Sequence, residues 1–198
     1  MGYTKIEVES LFVLDMNLSE EKELIKEAKK NPEVFGELYE EYHPQILGYI
    51  LKRTANLEIA QDITSETFFK ALKKLWQFQW KNIPFSAWLY RIANNEIANF
   101  YRKKNYKTVS LEKISEPITP SSPALEILEA EQELKKHQDF LKIQEKISKL
   151  EIKYQEVIAL RFFEKKQIKE IGQILGKKEG TIKSLLSRGL EKLRKLIG

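Results

Sequence analysis

A stretch near the middle of the chain, 88-WLYRIANNEIANFYRKK-104, carries an unusual density of side chains suited to nucleic acids. Apolar residues recur at three-to-four spacing, so they form one face of a helix, while the other face holds amides and ends in a basic cluster. Amides can pair with exposed base edges, and Arg or Lys can neutralise phosphates. The candidate contacts on this helix are Arg91, Asn94, Asn95, Asn99, Arg102 and Lys103.

A second candidate lies in 167-QIKEIGQILGKKEGTIKSLLSRGLEKLRK-195. A short helix would bury one apolar face, and Gly176 stands where a left-handed residue ends such a helix. A second helix would bury Ile182, Leu186, Leu190, Leu193 and Ile197. The opposite face of that helix is basic and rich in hydroxyls, as in a helix-turn-helix whose second helix enters the major groove. The alternative is a helical hairpin with a solvated basic face.

The charge is unevenly distributed along the 198 residues, whose net charge is +5. The first 45 residues hold five Lys and eleven acids, a balance of −6, whereas the last 38 hold eleven Lys or Arg and four Glu, a balance of +7. A basic terminal domain is a candidate footprint for phosphates. We therefore expect different partners for the two ends.

Composition and motifs argue against several classes of protein. There is no Cys, which excludes disulfides and thiolate metal sites, and the two His residues, His43 and His137, are far apart in sequence. No apolar run approaches the length of a membrane span, and the first residues lack the basic region of a signal peptide. We expect a soluble, cytoplasmic protein that is not an enzyme, binds no cofactor or metal and takes no small-molecule substrate.

Helical periodicity dominates the elements that must position these residues. The patterns predict helices over 19–30, 32–53, 57–75 and 86–103, and again from about Ala124 to the end. Between them, 108-TVSLEKISEPITPSSP-123 holds three prolines that cannot lie within a regular helix. The sequence therefore predicts an all-α protein with two small helical domains joined by an acidic linker that contains Pro and Ser.

Three separate pieces of the chain resemble the bacterial sigma-70 family, in the order that the family has them. The pieces 169-KEIGQILG-176 and 180-GTIKSLLSRGLEKLR-194 resemble region four, 60-AQDITSETFFKAL-72 resembles the polymerase-binding part of region two, and 88-WLYRIANNEIANFYRKK-104 resembles the segment that reads and melts the promoter −10 element. The lengths between them resemble those of the smallest members, the extracytoplasmic-function (ECF) sigma factors.

The resemblance implies a factor that binds core RNA polymerase, through its large subunits, and directs it to promoter DNA, both duplex and single-stranded non-template strand. It implies an N-terminal extension at 1–23, region two at 24–107, a linker at 108–138 and region four at 139–198. The candidate −35 contacts are Lys178, Thr181, Lys183, Ser184, Ser187 and Arg188. The candidate polymerase contacts are Asp62, Ser65, Glu66, Lys70 and Lys73.

The aromatic bend 76-WQFQWKNIPF-85 precedes the −10 helix. In the family this loop forms a pocket for a flipped base, where stacking offsets the cost of unstacking by roughly 1–3 kcal/mol. The residues at matching positions are Phe78, Trp80, Lys81 and Asn82. The alternative is that the aromatics are core; we expect this for Trp88, and exposure for Trp80.

The chain departs from the family's commonest residues at a few contact positions. Asn94 stands where Arg is frequent, Asn99 where Asp is frequent, and Leu185 where the recognition helix often has Arg. Ser65 replaces a usual Gln on the polymerase-binding helix. These differences concern the promoter sequence and single contacts rather than the function.

Other expectations stay open at this point. Residues 111–133 hold six Glu and one Lys, a balance of −5, so this acidic chain either mimics RNA in the polymerase channel or is a solvated tether. The family suggests an anti-sigma factor as a further partner. The main alternative function is a stand-alone helix-turn-helix regulator that binds duplex DNA tightly without polymerase; an adaptor that binds only proteins would leave both polar helices without a purpose.

Overall fold

The structure, a computed structural model, describes residues 17–80, 83–106 and 139–197, with side chains through 103 in the second range. All of its regular elements are helical. They are α1 (Leu18–Ala28), α2 (Phe35–Thr54), α3 (Leu57–Lys74), α4 (Phe85–Tyr106), α5 (139–148), α6 (Ile152–Ile158), α7 (Ile168–Leu175) and α8 (Glu179–Ile197). The expectation of an all-α chain in two helical units is confirmed, whereas residues 1–16 and the predicted linker at 108–138 lie outside the described residues.

Polar residues at the helix ends explain where the first helices begin. Asn17 and Glu20 form a capping box at the start of α1, and the Asn56 side chain accepts from the amide of Ile59 at the start of α3. Ala55, between α2 and α3, is left-handed with a φ of 50° and closes α2. These caps set the short turn that makes α2 and α3 antiparallel neighbours.

The first unit is built from α1 to α4, with α2 packed on both α3 and α4. Its centre holds Leu38, Ile46, Tyr49, Leu89 and Ile97, none of which has any exposed surface. These residues recur on the inner faces of α2 and α4 at helical spacing, which is why the apolar pattern alone located both helices. The core therefore fixes which face of α4 is turned outward.

The second unit packs α6 and α7 against α8. Ile171, Ile174 and Ile182 form its centre and are buried. The predicted buried face of α8 is wrong at two positions, because Leu190 is 37% exposed and Ile197 is 62% exposed. The apolar periodicity of α8 therefore continues beyond the residues that the second unit buries.

The two units touch each other in this structure. Helix α4 packs on α7, and α2 packs on the π-helical turn Ala159–Phe163 that follows α6. Lys52 on α2 forms an ion pair with Glu164, with 3.1 Å between Nζ and Oε1. The face of the first unit that carries α4 is thus in contact with the helix-turn-helix.

Candidate nucleic-acid interfaces

The outer face of α8 is a continuous basic and hydroxyl-bearing surface. Ile182, Leu186 and Leu193 on the opposite face are buried in the second unit. All six residues predicted for −35 contact are exposed: Lys178, Thr181, Lys183, Ser184, Ser187 and Arg188. Their exposure gives a surface whose charge suits phosphates and whose donors suit base edges in a major groove.

Two glycines set the angle at which α8 leaves α7. Gly176 is left-handed, with a φ of 64°, and ends α7 as the sequence indicated. Gly172 lies so close to the turn that a Cβ added there would be 2.8 Å from the Lys177 carbonyl oxygen. No sequence pattern predicts this role for Gly172, because a glycine inside a helix gives no sign of a close backbone approach.

The outer face of α4 carries only part of the predicted amide surface. Asn95, Arg102 and Lys103 are exposed, and Asn99 is half-buried. The Arg102 guanidinium donates to the Asn99 side chain at 2.5 Å, and the Asn99 amide donates more weakly to Glu96 at 3.4 Å. This part of the helix offers a short polar and basic edge to solvent.

Asn94 is not on that edge, so its predicted exposure is wrong. It is 3% exposed, and its carbonyl oxygen accepts from the Tyr49 hydroxyl at 2.7 Å and from Arg53 at 2.9 Å. Its amide donates to the Tyr90 carbonyl at 2.9 Å. A buried polar group must be satisfied within the protein, and Asn94 does this for the buried Arg53 and Tyr49. We therefore assign Asn94 to the core and withdraw it as a DNA contact.

The Arg91 side chain is exposed to solvent, but its guanidinium is already hydrogen-bonded to the second unit. Its Nε donates to the Ile174 carbonyl at 2.9 Å, and its Nη2 donates to the Gln173 carbonyl at 2.5 Å. These carbonyls belong to the last turn of α7, where the helix leaves acceptors unsatisfied and the dipole favours a cation. The helix-turn-helix thus occupies a guanidinium that the sequence predicted for DNA.

Part of the aromatic bend forms a wall of a cleft. Phe78 is 8% exposed and packs edge-on against Phe85, with ring centroids 5.3 Å apart. The Trp88 ring is tilted by 50° to that of Phe78, with centroids 5.1 Å apart. Trp88 is half-buried in this cluster, which agrees with its expected core role, and Trp80 is half-buried rather than exposed. Lys81 and Asn82 lie outside the described residues.

The cleft beside this cluster has a volume of about 300 Å³. It lies between the bend, the first turns of α4 and α7, and its lining includes Phe78, Pro84, Trp88, Arg91 and Gln173. Because Phe78 is packed between other rings, it contributes a wall of this cleft and is not free to stack on a base in this arrangement. The predicted part of Phe78 in a pocket for a flipped base stays a prediction.

A buried glutamate fixes the start of α4. Glu21 on α1 is 2% exposed, and its Oε1 accepts from the Phe85 amide at 2.9 Å. The Tyr42 hydroxyl donates to the same carboxylate. Burial raises the pKa of Glu21, although both hydrogen bonds act in the opposite direction. A carboxylate at the N-terminus of α4 accepts from an amide that has no partner within the helix, and it complements the helix dipole. No local sequence pattern predicts this contact, because α1 and α4 are far apart in the chain.

The outer face of α3 exposes the polar residues predicted for polymerase contact. Asp62, Ser65, Glu66 and Lys73 are exposed. Lys70 is half-buried because it pairs with Glu96 at 2.6 Å and with Glu66 at 3.0 Å. The hydrogen bond to Glu96 is the main reason that the pKa of Lys70 is raised.

Three large apolar residues lie beside these polar groups and were not predicted. Phe69 is 50% exposed, Leu72 is 39% exposed and Trp76 is 72% exposed. The ammonium of Lys73 lies 4.2 Å from the Phe69 ring centroid. Leu72 shares the helical spacing of the buried residues on α3. An apolar residue next to a buried stripe has the same sequence signal whether a partner or the core covers it.

Within the residues that the structure describes, no group of three or more His, Cys, Asp or Glu could hold a metal ion. No helix in the same residues is long and apolar enough to cross a membrane.

Both helical units match known protein families. Residues 38–106 match the family described as Sigma-70 region 2, and residues 140–193 match Sigma-70, region 4. The chain is 33% identical to the ECF RNA polymerase sigma factor SigW of Bacillus subtilis, over 88% of this chain and 95% of that protein. It is 29% identical to the ECF RNA polymerase sigma factor BldN of Streptomyces coelicolor, over 88% of this chain but only 65% of that protein.

Among solved structures, the fold resembles that of the sigma factor RpoE in complex with the anti-sigma factor NepR from Bartonella quintana. The TM-score is 0.59 at 22% identity, and the alignment covers 82% of this chain and 96% of that one. At this identity the likeness concerns the fold alone.

Proposed function

The chain belongs to the extracytoplasmic-function sigma factors of the sigma-70 family, and from that membership we propose that it binds core RNA polymerase and directs it to promoters with a −10 and a −35 element. The observation that carries this proposal is the presence of both family regions in one chain, together with the exposed basic face of α8. We place region two at 24–107, the linker at 108–138 and region four at 139–198.

As a sigma factor the protein acts in transcription initiation and is not an enzyme. Membership in a family of initiation factors confirms the expectation that it has no catalytic activity of its own. We propose that it works in the cytoplasm, where polymerase and promoters are.

We propose that α8 reads the −35 element in the major groove. Its N-terminal half would face base edges, with Lys183 and Arg188 as the charged contacts and Ser184 and Ser187 as smaller donors. Lys178, which precedes α8, and Thr181 would contact the phosphates. The turn at Gly172 and Gly176 supports this role, because it holds α8 at a fixed angle to α7.

We propose that α4 and the bend before it recognise and open the −10 element. Asn95, Asn99, Arg102 and Lys103 form the polar edge that would meet the strand. Arg91 and Trp80 would contact the DNA beside the cleft, and Lys81 and Asn82 stay proposed contacts. Phe78 acts as its wall, and Asn94 acts from within the core by holding Tyr49 and Arg53.

We propose that the outer face of α3 binds the core enzyme. Asp62, Ser65, Glu66, Lys70 and Lys73 supply the polar contacts. The exposed stripe of Phe69, Leu72 and Trp76 extends this face, and such apolar side chains stabilise a protein interface when a partner buries them. An anti-sigma factor is a further proposed partner, in line with the RpoE–NepR complex.

The first test is co-elution with purified bacterial core polymerase in size exclusion, followed by run-off transcription from fragmented genomic DNA. We expect a stable complex and discrete start sites. If the free protein instead binds duplex DNA tightly and specifically and forms no complex with core, it is a stand-alone helix-turn-helix regulator.

A charge reversal on α3 sharpens this test. Asp62→Arg should weaken core binding at least about tenfold. If Asp62 faces basic groups of the polymerase, the new guanidinium repels them, and juxtaposed like charges in an interface are strongly unfavourable. Glu40→Arg, an exposed acid on α2 with the same change of charge, is the matched control and should bind core normally. Equal binding by both variants would remove α3 from the interface.

A further inference from the structure

Two side chains of α1 contact the aromatic bend, one near each end of the segment from Phe78 to Phe85. The Lys29 ammonium donates to the Phe78 carbonyl at 2.5 Å, across 49 residues of sequence. The Glu21 carboxylate accepts from the Phe85 amide at 2.9 Å, across 64 residues. Both contacts are made to the backbone, so α1 holds the positions at which the bend leaves one helical turn and enters α4.

The two ends of this segment lie side by side. An extended chain from Phe78 to Phe85 would span about 25 Å, whereas the two rings pack edge-on with centroids 5.3 Å apart. The Phe78 amide donates to the Leu75 carbonyl at 3.0 Å and ends the preceding turn, after which the backbone is extended. Because the chain leaves the helical turn here, the Phe78 carbonyl takes its donor from another element, the Lys29 side chain.

Glu21 is held at the other end although its burial destabilises the fold. It is 2% exposed, and within the residues that the structure describes its Oε2 has no hydrogen-bond partner. A buried polar atom without a partner is unfavourable, so packing alone does not explain a Glu at this position. The Tyr42 hydroxyl donates to Oε1, and the Tyr42 ring packs on that of Phe85 with centroids 5.7 Å apart. Tyr42 therefore orients the carboxylate toward the bend.

The charge of α1 argues against direct contact with DNA. Its 11 residues, Leu18–Ala28, include four Glu and two Lys, and an acidic surface is repelled by phosphates. The match to Sigma-70 region 2 begins at residue 38, so α1 also precedes the part of the chain that the family model covers. An acidic helix that contacts the backbone of the bend can act on the geometry of the bend without contacting DNA.

We propose that Glu21 and Lys29 are positioning residues for −10 recognition. By fixing both ends of the aromatic bend, they set where the wall formed by Phe78 and Trp88 lies relative to the polar edge of α4. This inference rests on the proposed −10 role of the bend and of α4. A displacement of about 1 Å in a supporting residue is enough to spoil the fit of a binding site, so α1 governs which −10 sequence is accepted rather than whether the core enzyme is bound.

The positioning is tested on the free protein by fluorine NMR. The chain has three Trp, so labelling with 5-fluorotryptophan gives three resonances, which substitution of each Trp in turn assigns. Trp80 and Trp88 lie 6.5 and 5.1 Å from Phe78 between ring centroids, so their resonances report the position of the wall. We expect Lys29→Met to shift both resonances. Lys29→Arg, which still donates to the carbonyl, should restore the parent positions.

Lys26→Met is the matched control for this measurement. It removes the same charge from α1 at an exposed residue that pairs with Glu23 of the same helix, and it should leave the resonances unchanged. At the other end of the bend, Glu21→Leu removes the acceptor and should shift the Trp88 resonance, whereas Glu21→Gln keeps an acceptor. Lys29 is exposed, so its variants decide the question even if Glu21→Leu does not fold.

The effect on promoter choice is measured as a ratio with core polymerase present. Run-off transcription from one mapped promoter is divided by that from the same promoter with its most sensitive −10 base pair changed. We expect Lys29→Met to lower this ratio at least about threefold, because a single base pair is typically discriminated about fivefold or more and the fit of the site supplies that discrimination. Lys29→Arg and Lys26→Met should keep the parent ratio, and all of these variants should bind core equally.

A folded Lys29→Met protein with the parent resonances would overturn the inference. Shifted resonances with an unchanged ratio would overturn it as well, because α1 would then position the bend without affecting −10 recognition. A loss of core binding in step with the ratio would indicate general damage to the first unit and contradict a positioning role. If the parent protein neither binds core nor starts transcription, the proposed function fails, while the resonances still decide whether α1 positions the bend.

Discussion

Helices α4 and α8 were both predicted to read DNA, but their predicted contact residues differ in exposure. All six predicted residues at α8 are exposed, whereas α4 divides its predicted residues between solvent, the core and the boundary with α7. The charged residues predicted on α8 gain little from burial, since an ion in the core is costly without a partner. Amides are different, because an uncharged Asn can form its hydrogen bonds to buried neighbouring groups as well as to a base.

The buried amide of α4 provides the strongest test of this contrast. Asn94→Ala leaves the Tyr49 hydroxyl and the Arg53 guanidinium without their shared acceptor, so we expect a loss of about 3 kcal/mol in the free energy of unfolding. Asn95→Ala, at the exposed neighbour, should change it by less than about 0.5 kcal/mol. Urea unfolding followed by circular dichroism measures both. Equal stability of the two variants would contradict the buried role of Asn94 and indicate that it lies on the outer face of α4.

The geometry of α8 depends on a backbone contact instead of a polar network. Gly172→Ala would place a Cβ 2.8 Å from the Lys177 carbonyl oxygen, and we expect it to cost about 2 kcal/mol because backbone cannot yield cheaply. Gly180→Ala, in the same motif with no atom within 4 Å, should be neutral or stabilising by up to about 1 kcal/mol. Thermal unfolding of the two variants checks the difference. A stable Gly172→Ala protein would show that the turn can open.

Exposure of the α8 surface predicts an effect on binding without one on stability. Arg188→Ala should weaken binding of the polymerase complex to its promoter by about 1–2 kcal/mol. Arg194→Ala removes an exposed guanidinium from a different side of the same helix and should bind nearly as tightly as the parent. Filter binding at several salt concentrations separates a phosphate contact, which changes the salt slope, from a base contact. A loss of similar size in both variants would indicate a general charge effect.

The start of α4 should give the smallest effect, and it depends on pH. Burial raises the pKa of Glu21 above its ordinary value of 4.5, so the folded protein binds this proton more tightly than the unfolded chain. Between the pKa of Glu21 in the unfolded chain and its higher pKa in the folded protein, the contribution of Glu21 to stability therefore falls as pH rises. Glu21→Gln keeps an acceptor for the Phe85 amide and should remove this part of the slope.

Unfolding free energies of the parent and of Glu21→Gln, measured across this pH range, isolate the contribution of Glu21 from that of other groups. Glu156 is such a group, because burial also raises its pKa, and it is the same in both proteins. A difference between the two proteins that does not vary with pH would show that Glu21 titrates alike in the folded and unfolded chains.

The sequence predicted most of the helices and the α8 surface because both depend on local periodicity. The predicted helix over 57–75 corresponds to Leu57–Lys74, and that over 86–103 to Phe85–Tyr106. What could not be predicted depends on long-range contacts. Examples are the buried partners of Asn94, the cap that Glu21 provides for α4, and the bond from Arg91 to α7, each of which joins residues far apart in the chain.

The same limit explains the errors on apolar residues. Leu72 and Leu190 continue buried stripes at helical spacing, yet both are exposed. Periodicity reports which side of a helix is apolar but not how far the covering surface extends. On α3 the exposed apolar residues adjoin the proposed polymerase face, and in that setting the apparent error is itself a clue to an interface.

The most direct test of the account is permanganate footprinting of one promoter mapped by run-off transcription, with the protein alone, core alone and both together. Permanganate oxidises unpaired thymines, so it reports opening of the duplex. We predict reactive thymines at and downstream of the −10 element only when factor and core are both present. Specific protection of the duplex by the protein alone, with no reactive thymines when core is added, would contradict the account and identify a regulator that binds closed DNA.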